Sequence, residues 1–306
     1  MAISSHIDTF AGLPIRNVGP GDADVDPSGV AWRVETDYED GAAMFDQRLT
    51  SLLEAPWAGQ IKALVIGEWG ESYDTTAPIE RLAAAADRLT GLRALFVGEM
   101  TYEEQEISWI QQGDITPLLQ AYPALEVLRI RGAEGLAITP VRHESLVELA
   151  FESGGLPADV VTAVGECDLP ALRHLELWLG TDNYGGDATA EDLATILTGA
   201  RLPSLTYLGL RDSEIADQVA AALAGAPVVA RLETLDLSLG ALSDVGAAAL
   251  LAGQPLIHLS RLDINHHFLT EAMSQRLRAE LPGFDVDDSD RQEPDDDGDR
   301  YISVSE

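Results

Sequence analysis

The stretch Leu232 to Gly253, LETLDLSLGALSDVGAAALLAG, decides the fold of this chain. It opens with Leu-x-x-Leu-x-Leu, in which Leu235 and Leu237 alternate with polar residues, as in a strand with one buried face. Ser243 or Asp244 then provides a helix N-cap ahead of an Ala/Leu-rich helix. One strand and one helix cannot bury their own apolar faces, so this unit predicts copies of itself on either side.

The same leucine pattern occurs eight times along the chain. The matching segments are Ile61-Leu64-Ile66, Leu92-Leu95-Val97, Leu125-Leu128-Ile130, Leu146-Leu149-Phe151, Leu172-Leu175-Leu177, Leu205-Leu208-Leu210, Leu232-Leu235-Leu237 and Leu259-Leu262-Ile264. Their middle residues lie 21 to 33 residues apart, near the period of about 20–29 residues that leucine-rich repeats show. We therefore predict an α/β fold, a leucine-rich-repeat solenoid in the form of a horseshoe arc. Its parallel β-sheet lies on the concave face and its helices lie on the convex face.

The units at residues 205–225 and 232–253 resemble the long, helix-containing repeats of ribonuclease inhibitors. The resemblance to leucine-rich-repeat proteins covers about residues 57–284. The chain also resembles an uncharacterised family of bacterial leucine-rich-repeat proteins typical of actinomycetes. The segments that carry this second resemblance are Ala31–Glu35, Tyr38–Asp40, Val65–Gly70 and Arg300–Glu306. That family implies no particular activity.

The chain departs from the repeat pattern in the turn after each strand. Leucine-rich-repeat proteins place Asn or Cys three residues after the last apolar strand residue, where the side chain satisfies the turn backbone. The equivalent positions here are Trp69, Met100, Ala133, Gly154, Gly180, Ser213, Gly240 and His267. The regular ladder of turn side chains is therefore absent, and the turns are expected to be irregular.

Sequence patterns divide the chain into three segments. Residues 1–56 lack the leucine pattern, and a strand at 30–34 with a helix at 41–54 predicts a β-β-α unit that caps the solenoid. A separate functional domain is the alternative for this segment. Residues 57–284 hold about eight repeats, and residues 285–306, with ten acidic residues and two Arg, predict an acidic, disordered tail. An alternative for its last residues is a strand added to an exposed sheet edge.

The composition excludes several classes of partner. The chain has 52 acidic and 19 basic residues, a net charge of −33, so its surface repels nucleic acid and anionic membranes. It has no signal-peptide pattern and no apolar run long enough to span a bilayer. Its single Cys167 excludes an intrachain disulfide and fits a reducing compartment. We predict a cytoplasmic bacterial protein that binds neither nucleic acid nor membranes.

The strand residues that flank the buried leucines point away from the core onto one face, here called the outward face, which is concave in a repeat solenoid. Aromatic and Arg side chains exposed together are typical of protein-binding surfaces. The candidate partner-binding residues on this face are Phe96, Arg129, Arg131, Glu148, Glu152, His174, Glu176, Trp178, Tyr207, Arg211, Asp236, Arg261 and Asp263.

Aromatic residues in the loops that leave the carboxyl ends of the strands form a second candidate surface, here called the loop rim. Its residues are Trp69, Tyr73, Tyr102, Trp109 and Tyr184. Both surfaces have a structural alternative. Arg and Glu can neutralise each other across neighbouring strands, and the loop aromatics can fill gaps that the missing ladder leaves.

The sequence contains few residue patterns that indicate catalysis. It has no nucleophile elbow, phosphate-binding glycine loop or metalloprotease motif, and His174 with Glu176 supplies too few ligands for a zinc site. The acidic run after Asp285 lacks the Gly and the closing Glu of a calcium loop. We therefore predict no catalytic residue, metal or cofactor, and a non-enzymatic scaffold that binds another protein or a peptide. An accessory subunit that presents a peptide or small-molecule substrate to a separate enzyme is the second hypothesis, and an enzyme is the third.

Overall fold

The structure is a computed structural model that describes residues 3–19, 22, 25–37, 40–283 and 285–305. The chain divides into two compact units, residues 2–152 and residues 153–305. The boundaries that the sequence pattern places near residues 56 and 284 remain a prediction. Tyr38, Glu39 and Glu306, which carry part of the family resemblance, lie outside the described residues.

The first unit consists of successive strands joined by helical or irregular returns. Its strands are β1 (Thr9–Phe10), β2 (Leu13–Asn17), β3 (Ala31–Val34), β4 (Ala63–Ile66), β5 (Ala94–Val97), β6 (Val127–Arg131) and β7 (Glu148–Glu152). Its helices are α1 (Gly41–Glu54), α2 (Ile79–Ala84) and α3 (Thr116–Ala121). β1 pairs antiparallel with β2, and β2 to β7 then pair in parallel in chain order. The return from β6 to β7 contains no helix among the described residues.

The second unit repeats the same plan. Its strands are β8 (His174–Gly180), β9 (Tyr207–Ser213), β10 (Thr234–Asp236), β11 (Arg261–Asp263) and β12 (Asp285–Asp287). Its helices are α4 (Ala158–Glu166), α5 (Ala194–Thr198), α6 (Ala216–Leu223), α7 (Asp244–Ala252) and α8 (Glu271–Glu280). All its strands pair in parallel in chain order, and α6 packs against α7. Both units therefore have the predicted leucine-rich-repeat solenoid fold.

The parallel register aligns the leucines that the sequence pattern selected. In each neighbouring pair of strands within a unit, the middle leucines of the two repeats are direct partners. All of them are fully buried: Leu64, Leu95, Leu128, Leu149, Leu175, Leu208, Leu235 and Leu262. Since one repeat cannot enclose its own leucine, the stacked neighbour supplies the apolar surface that buries it.

The predicted α/β cap is present before the first leucine repeat. β3 pairs in parallel with β4, which places Trp32 beside Leu64. Trp32 is fully buried and stacks on Trp57 with ring centroids 4.8 Å apart. Helix α1 has the predicted bounds, and it buries Phe45, Leu49 and Leu52. The cap therefore covers the first repeat with a repeat-like strand and helix.

The predicted helix start in the stretch Leu232–Gly253 is confirmed at Ser243. Its side-chain oxygen accepts a hydrogen bond from Val245 N at 3.2 Å, which satisfies one of the free amides of the first turn of α7. Helix α5 begins at Ala194, after a turn in which the Thr189 hydroxyl donates to Asp192 Oδ2 at 2.7 Å.

Individual side chains and glycines take over the function of the missing turn ladder. After β4, the Glu68 carboxylate accepts hydrogen bonds from Gly70 N at 2.7 Å and Ser72 N at 3.2 Å. After β8, Gly180 has φ +70°, and a Cβ there would lie 2.0 Å from Gly154 O. Only glycine fits this close backbone approach. Different groups therefore stabilise these two turns, as the absence of a regular ladder predicted.

Two buried histidines also connect turns to neighbouring backbone. His267 Nδ1 accepts from Leu269 N at 3.0 Å, and its Nε2 lies 2.9 Å from Asp288 O. His143 Nδ1 likewise accepts from Leu146 N at 3.1 Å. Both rings are almost fully buried, so their role is structural.

Residues 285–305 differ from the expected disordered tail. β12 pairs with β11, and farther along the chain Ser303 N donates to Leu239 O at 2.8 Å and Val304 N to Asp212 Oδ1 at 2.9 Å. Val304 is buried by this docking, whereas the acidic residues around it stay largely exposed. The attachment of Ser303 and Val304 agrees with the alternative that these last residues dock, although they form individual hydrogen bonds and not one of the assigned strands.

Asp212, which receives the Val304 amide, is a fully buried carboxylate. Its φ of +47° places it in the left-handed region, near the end of β9. Burial raises the pKa of the Asp212 carboxyl well above its ordinary value, although the Val304 amide and Arg211 oppose the shift.

Among the described residues, no helix has the length and apolar character needed to cross a bilayer. Cys167, the single cysteine of the chain, is buried in the second unit.

The first testable prediction concerns the leucine core. Leu175→Ala, Leu208→Ala and Leu235→Ala should each lower the free energy of unfolding by about 2–5 kcal/mol, because each leaves a cavity among stacked repeats. Urea unfolding measures the loss, with Val245→Ala at an exposed position of α7 as the control, where a change within about 0.5 kcal/mol is expected. Losses below about 1 kcal/mol at all three leucines would contradict the repeat register.

The second prediction concerns Asp212. Because its pKa is raised in the folded protein, the folded state holds the proton more tightly than the unfolded state, whose pKa is about 3.9. The stability of the native chain relative to Asp212→Asn should therefore fall as pH rises from about 4 towards 7. Thermal melting of both proteins across this pH range tests it, and a constant difference in Tm would contradict the raised pKa.

Candidate functional site

The outward face of β4 and β5 is covered by residues 7–15 of the chain. Phe10, on β1, lies 5.8 Å from Phe96 between ring centroids. The buried cluster between the strands and this segment consists of Phe10, Ala31, Ala63, Val65, Ala94 and Phe96, with Ile7, Leu13, Ile15 and Val127 packed around it. Phe96, a candidate partner-binding residue, is only 1% exposed. In the described structure, Phe96 therefore packs against Phe10 of the same chain.

Charged residues on the outward face of β6 and β7 pair with each other. Arg129 Nε lies 2.5 Å from Glu148 Oε1, and Arg131 Nε lies 2.7 Å from Glu152 Oε2. Arg131 also donates to Met100 O at 2.5 Å. Arg131 and Glu152 are buried, whereas Arg129 and Glu148 are about one quarter exposed. The cross-strand neutralisation considered from the sequence is what the structure shows here.

In the second unit, Glu176 on β8 is the centre of a polar cluster on the outward face. Its Oε1 accepts hydrogen bonds from Trp178 Nε1 and from Arg211 Nη1, both at 2.7 Å. Its Oε2 lies 3.3 Å from His174 Nε2 and 3.4 Å from the Tyr207 hydroxyl. The Glu176 side chain is 5% exposed, so this carboxylate is stabilised by its neighbours and not by water.

The next strands extend this cluster. The Tyr207 hydroxyl donates to Asp236 Oδ2 at 2.7 Å, and the Tyr207 ring stacks on His174 at 3.8 Å between centroids. Burial raises the pKa values of Tyr207 and Asp236, while Glu176 and Asp236 together raise the pKa of Arg211 despite its burial. Arg211 therefore stays charged, and Tyr207 stays a neutral hydrogen-bond donor.

The last two candidates on the outward face lie at the far end of the second unit. Arg261 Nη2 lies 2.7 Å from Asp263 Oδ2 and also 2.7 Å from Asp287 Oδ2, and its Nη1 pairs with Asp285. The Arg261 side chain is 38% exposed. This cluster is the most accessible of the Arg groups on the face.

The rim aromatics of the first unit fall into two groups. Trp69 is 4% exposed and donates from Nε1 to Thr75 O at 2.9 Å, so it fills the turn after β4. Tyr73, Tyr102 and Trp109 are 51%, 45% and 55% exposed. Large aromatic side chains exposed on neighbouring loops are a feature of protein-binding surfaces. We call these three residues the exposed rim.

An acidic cavity of about 470 Å³ opens beside Tyr73. The lining residues include Asp37, Glu68, Glu71, Glu103 and Glu104 together with Thr36, Ser72 and Gln105. The cavity is lined by residues of the loops after β4 and β5. The hydrogen bond from Gln111 N to Ser72 O, at 2.8 Å, joins these two loops. Because carboxylates are concentrated there, the cavity favours a cationic group over an anionic one.

Tyr184 belongs to a different cavity, in the second unit. It is partly exposed, and the cavity of about 520 Å³ around it is also lined by Thr181, Asn183, Glu214, Arg300 and Tyr301. Residues 299–305 thus provide one wall of this site. The volume falls within the range of about 300–1,000 Å³ of small-molecule sites.

Sequence reasoning missed a group of residues that connect the first residues of the described chain to the loop after β5. Tyr102 N donates to Ile3 O at 2.9 Å, and the buried Glu99 accepts from Ile7 N at 3.0 Å and from His6 Nδ1 at 3.0 Å. The available signal was the apolar character of Ala63, Val65, Ala94 and Phe96, since apolar residues on an outward face require a cover.

Comparisons with known proteins place the fold but not an activity. The crystal structure of a Bacteroides fragilis protein, a structural genomics target, superposes with a TM-score of 0.77 at 29% identity, over 89% of this chain and 76% of that chain. An internalin from Listeria monocytogenes matches with a TM-score of 0.43 at 17% identity, over 78% of this chain and 58% of that chain. No protein-family model matches the chain, and no curated protein matches its sequence.

The third prediction tests whether Glu176 is a structural residue. Glu176→Ala removes the acceptor of Trp178 Nε1 and Arg211 Nη1, so we expect a loss of about 1–3 kcal/mol in the free energy of unfolding. The control is Glu280→Ala, which breaks an exposed pair with Arg276 and should cost less than about 1 kcal/mol. Equal, small losses in urea unfolding would mean that Glu176 is available to an external partner.

Proposed function

We propose that this chain is a non-catalytic protein-interaction scaffold, and that the exposed rim of the first unit is its main contact surface. The observation that carries the proposal is the exposure of Tyr73, Tyr102 and Trp109 in the loops after two successive strands, beside the acidic cavity. The repeat fold supports an interaction role in general, because solenoids offer extended surfaces for partners.

The proposed partner is a protein or peptide with a basic side chain near an apolar group. An Arg or Lys that enters the cavity would meet Asp37, Glu71 and Glu103, while apolar neighbours of that side chain would pack on Tyr73. The net charge of −33 would also steer a basic partner towards this chain.

The outward face has a lesser part in this proposal. Its buried members, such as Arg131, Glu152 and Glu176, already have internal partners. Arg129, Glu148 and Arg261 are more accessible and can add contacts at the edge of an interface. We further propose a cytoplasmic location and membership of the actinobacterial family that the sequence resembles.

The alternative proposal, an accessory subunit that presents a peptide or small molecule to a separate enzyme, is favoured by one observation. The cavity around Tyr184 has the volume of a small-molecule site, and residues near Tyr301 line it. A ligand there would contact the second unit and would not depend on the exposed rim.

The fourth prediction tests the exposed rim as the contact surface. Tyr73→Ser, Tyr102→Ser and Trp109→Ser together should abolish capture of a specific partner from an extract of the source organism, measured by cross-linking and mass spectrometry. These side chains are solvent exposed, so the variant should fold and keep its Tm within a few degrees.

The matched control is Val245→Ser with Ile257→Ser, which removes two exposed apolar side chains from the second unit. This control should retain the partner at the native level, and recovery should decline as salt is raised, because a basic partner is held by charge. Equal recovery by the native chain and the rim variant would contradict the exposed rim as the contact surface.

A further inference from the structure

His6, Glu35 and Glu104 meet in the first unit, and we propose that they form a binding site for a divalent transition-metal ion such as Zn²⁺. One candidate ligand atom of each residue lies within 4.8 Å of the other two. The three residues come from distant parts of the chain: the segment before β1, the end of β3 and the loop after β5. An ion there would fasten the segment before β1 to the first repeats.

The imidazole of His6 is held in the orientation of a metal ligand. Its Nδ1 lies 3.0 Å from Glu99 Oε2, and the Glu99 side chain is fully buried. A carboxylate only accepts hydrogen bonds, so Nδ1 donates to Glu99, and Nε2 is the ring nitrogen that can bind a metal ion. Metal-bound histidines commonly donate their second ring N–H to a carboxylate in this way.

Nε2 of His6 faces a second carboxylate. Nε2 lies 3.3 Å from Glu104 Oε1, and both atoms are acceptors when the ring is neutral. Two acceptors at this distance repel each other unless a proton or a cation lies between them. The arrangement therefore calls for a positive species at this position.

Both carboxylates are oriented by contacts to their other oxygens. Glu104 Oε2 accepts from Thr101 N at 2.8 Å and from the Thr101 hydroxyl at 3.1 Å, which leaves Oε1 towards His6. Glu35 Oε1 accepts from Asn17 Nδ2 at 2.5 Å. Glu35 Oε2 is buried without a hydrogen-bond partner, and its nearest cation is Arg33 Nε at 3.6 Å.

The spacing of the ligand atoms suits a small ion. Ligands at about 2.0–2.2 Å from tetrahedral zinc lie roughly 3.3–3.6 Å from one another, and the His6–Glu104 pair at 3.3 Å already has this separation. Glu35 offers a carboxylate oxygen within 4.8 Å of the ligand atoms of His6 and Glu104, which makes it the third ligand of the set. Three protein ligands leave a coordination position for water, and the half-exposed His6 keeps that position open to solvent.

The local charge also matches a divalent ion. Glu35, Glu99 and Glu104 bring three negative charges, and Arg33, which is ion-paired with Glu99 and Glu35, brings one positive charge. With a neutral imidazole, two negative charges remain uncompensated. The mixture of one nitrogen and two oxygen ligands favours zinc over magnesium or calcium, which prefer oxygen ligands alone.

The fifth prediction is tested by titrating Zn²⁺ into the full chain at physiological salt by isothermal titration calorimetry. We expect one saturable equivalent in the native protein, and at least tenfold weaker binding in His6→Gln and in Glu104→Gln. The matched control is Glu103→Gln, which removes the same charge from the adjacent residue and should leave the affinity unchanged. Saturating Zn²⁺ should raise the Tm of the native chain and of the control but not of His6→Gln.

Substitution by Co²⁺ provides a second readout that folding alone does not change. Visible absorption typical of a four- or five-coordinate site should appear in the native chain and disappear in His6→Gln. Absence of a saturable equivalent, or equal affinity in the native chain, His6→Gln and Glu104→Gln, would overturn the proposal. The former result would mean that a proton alone lies between His6 and Glu104. The rim variant should bind Zn²⁺ normally, so failure of this site and failure of the proposed function are distinguishable.

Discussion

Parallel pairing of neighbouring repeats places equivalent side chains about 4.8 Å apart, and the rest of the structure follows from this constraint. On the inner side it stacks leucine on leucine, as with Leu208 and Leu235, so that every repeat depends on its neighbours for burial. On the outward side the same spacing would bring like charges together. Arg residues offset this repulsion: Arg129 pairs with Glu148 and Arg211 with Glu176 on neighbouring strands. Where Asp263 and Asp287 are direct register partners, Arg261 pairs with both carboxylates.

This pairing decides where a partner can bind. Outward-face charges that are buried and hydrogen bonded to each other would have to give up those bonds before they could contact another protein. Apolar outward residues are also occupied, because Phe10 covers Phe96. In the first unit, the accessible aromatic side chains therefore lie mainly in the loops, where Tyr73 and Trp109 are half exposed. The loops are also where the backbone is free to vary without disturbing the register of the strands.

The sequence predicted the strands and the bounds of α1 well, because leucine spacing is a local signal that burial enforces directly. It predicted the charge pairs only as an alternative, since residues such as Arg211 and Glu176 become neighbours only through the register of the sheet. It did not predict the covering of Phe96, and it gave attachment of the last residues only as an alternative, because these contacts join residues more than 80 positions apart. Among the rim aromatics, buried Trp69 and exposed Trp109 look alike in sequence, and only the turn geometry separates them.

Outward-face side chains are occupied within the protein, whereas the exposed rim is accessible. Hydroxyl-radical footprinting of the free native chain, read residue by residue by mass spectrometry, distinguishes the two surfaces. We expect rapid oxidation of Tyr73, Tyr102 and Trp109, and strong protection of Phe96 and Trp178, which are 1% and 8% exposed. Oxidation of Phe96 and Trp178 at the rate of Trp109 would contradict this expectation, because the outward face would then be open to a partner.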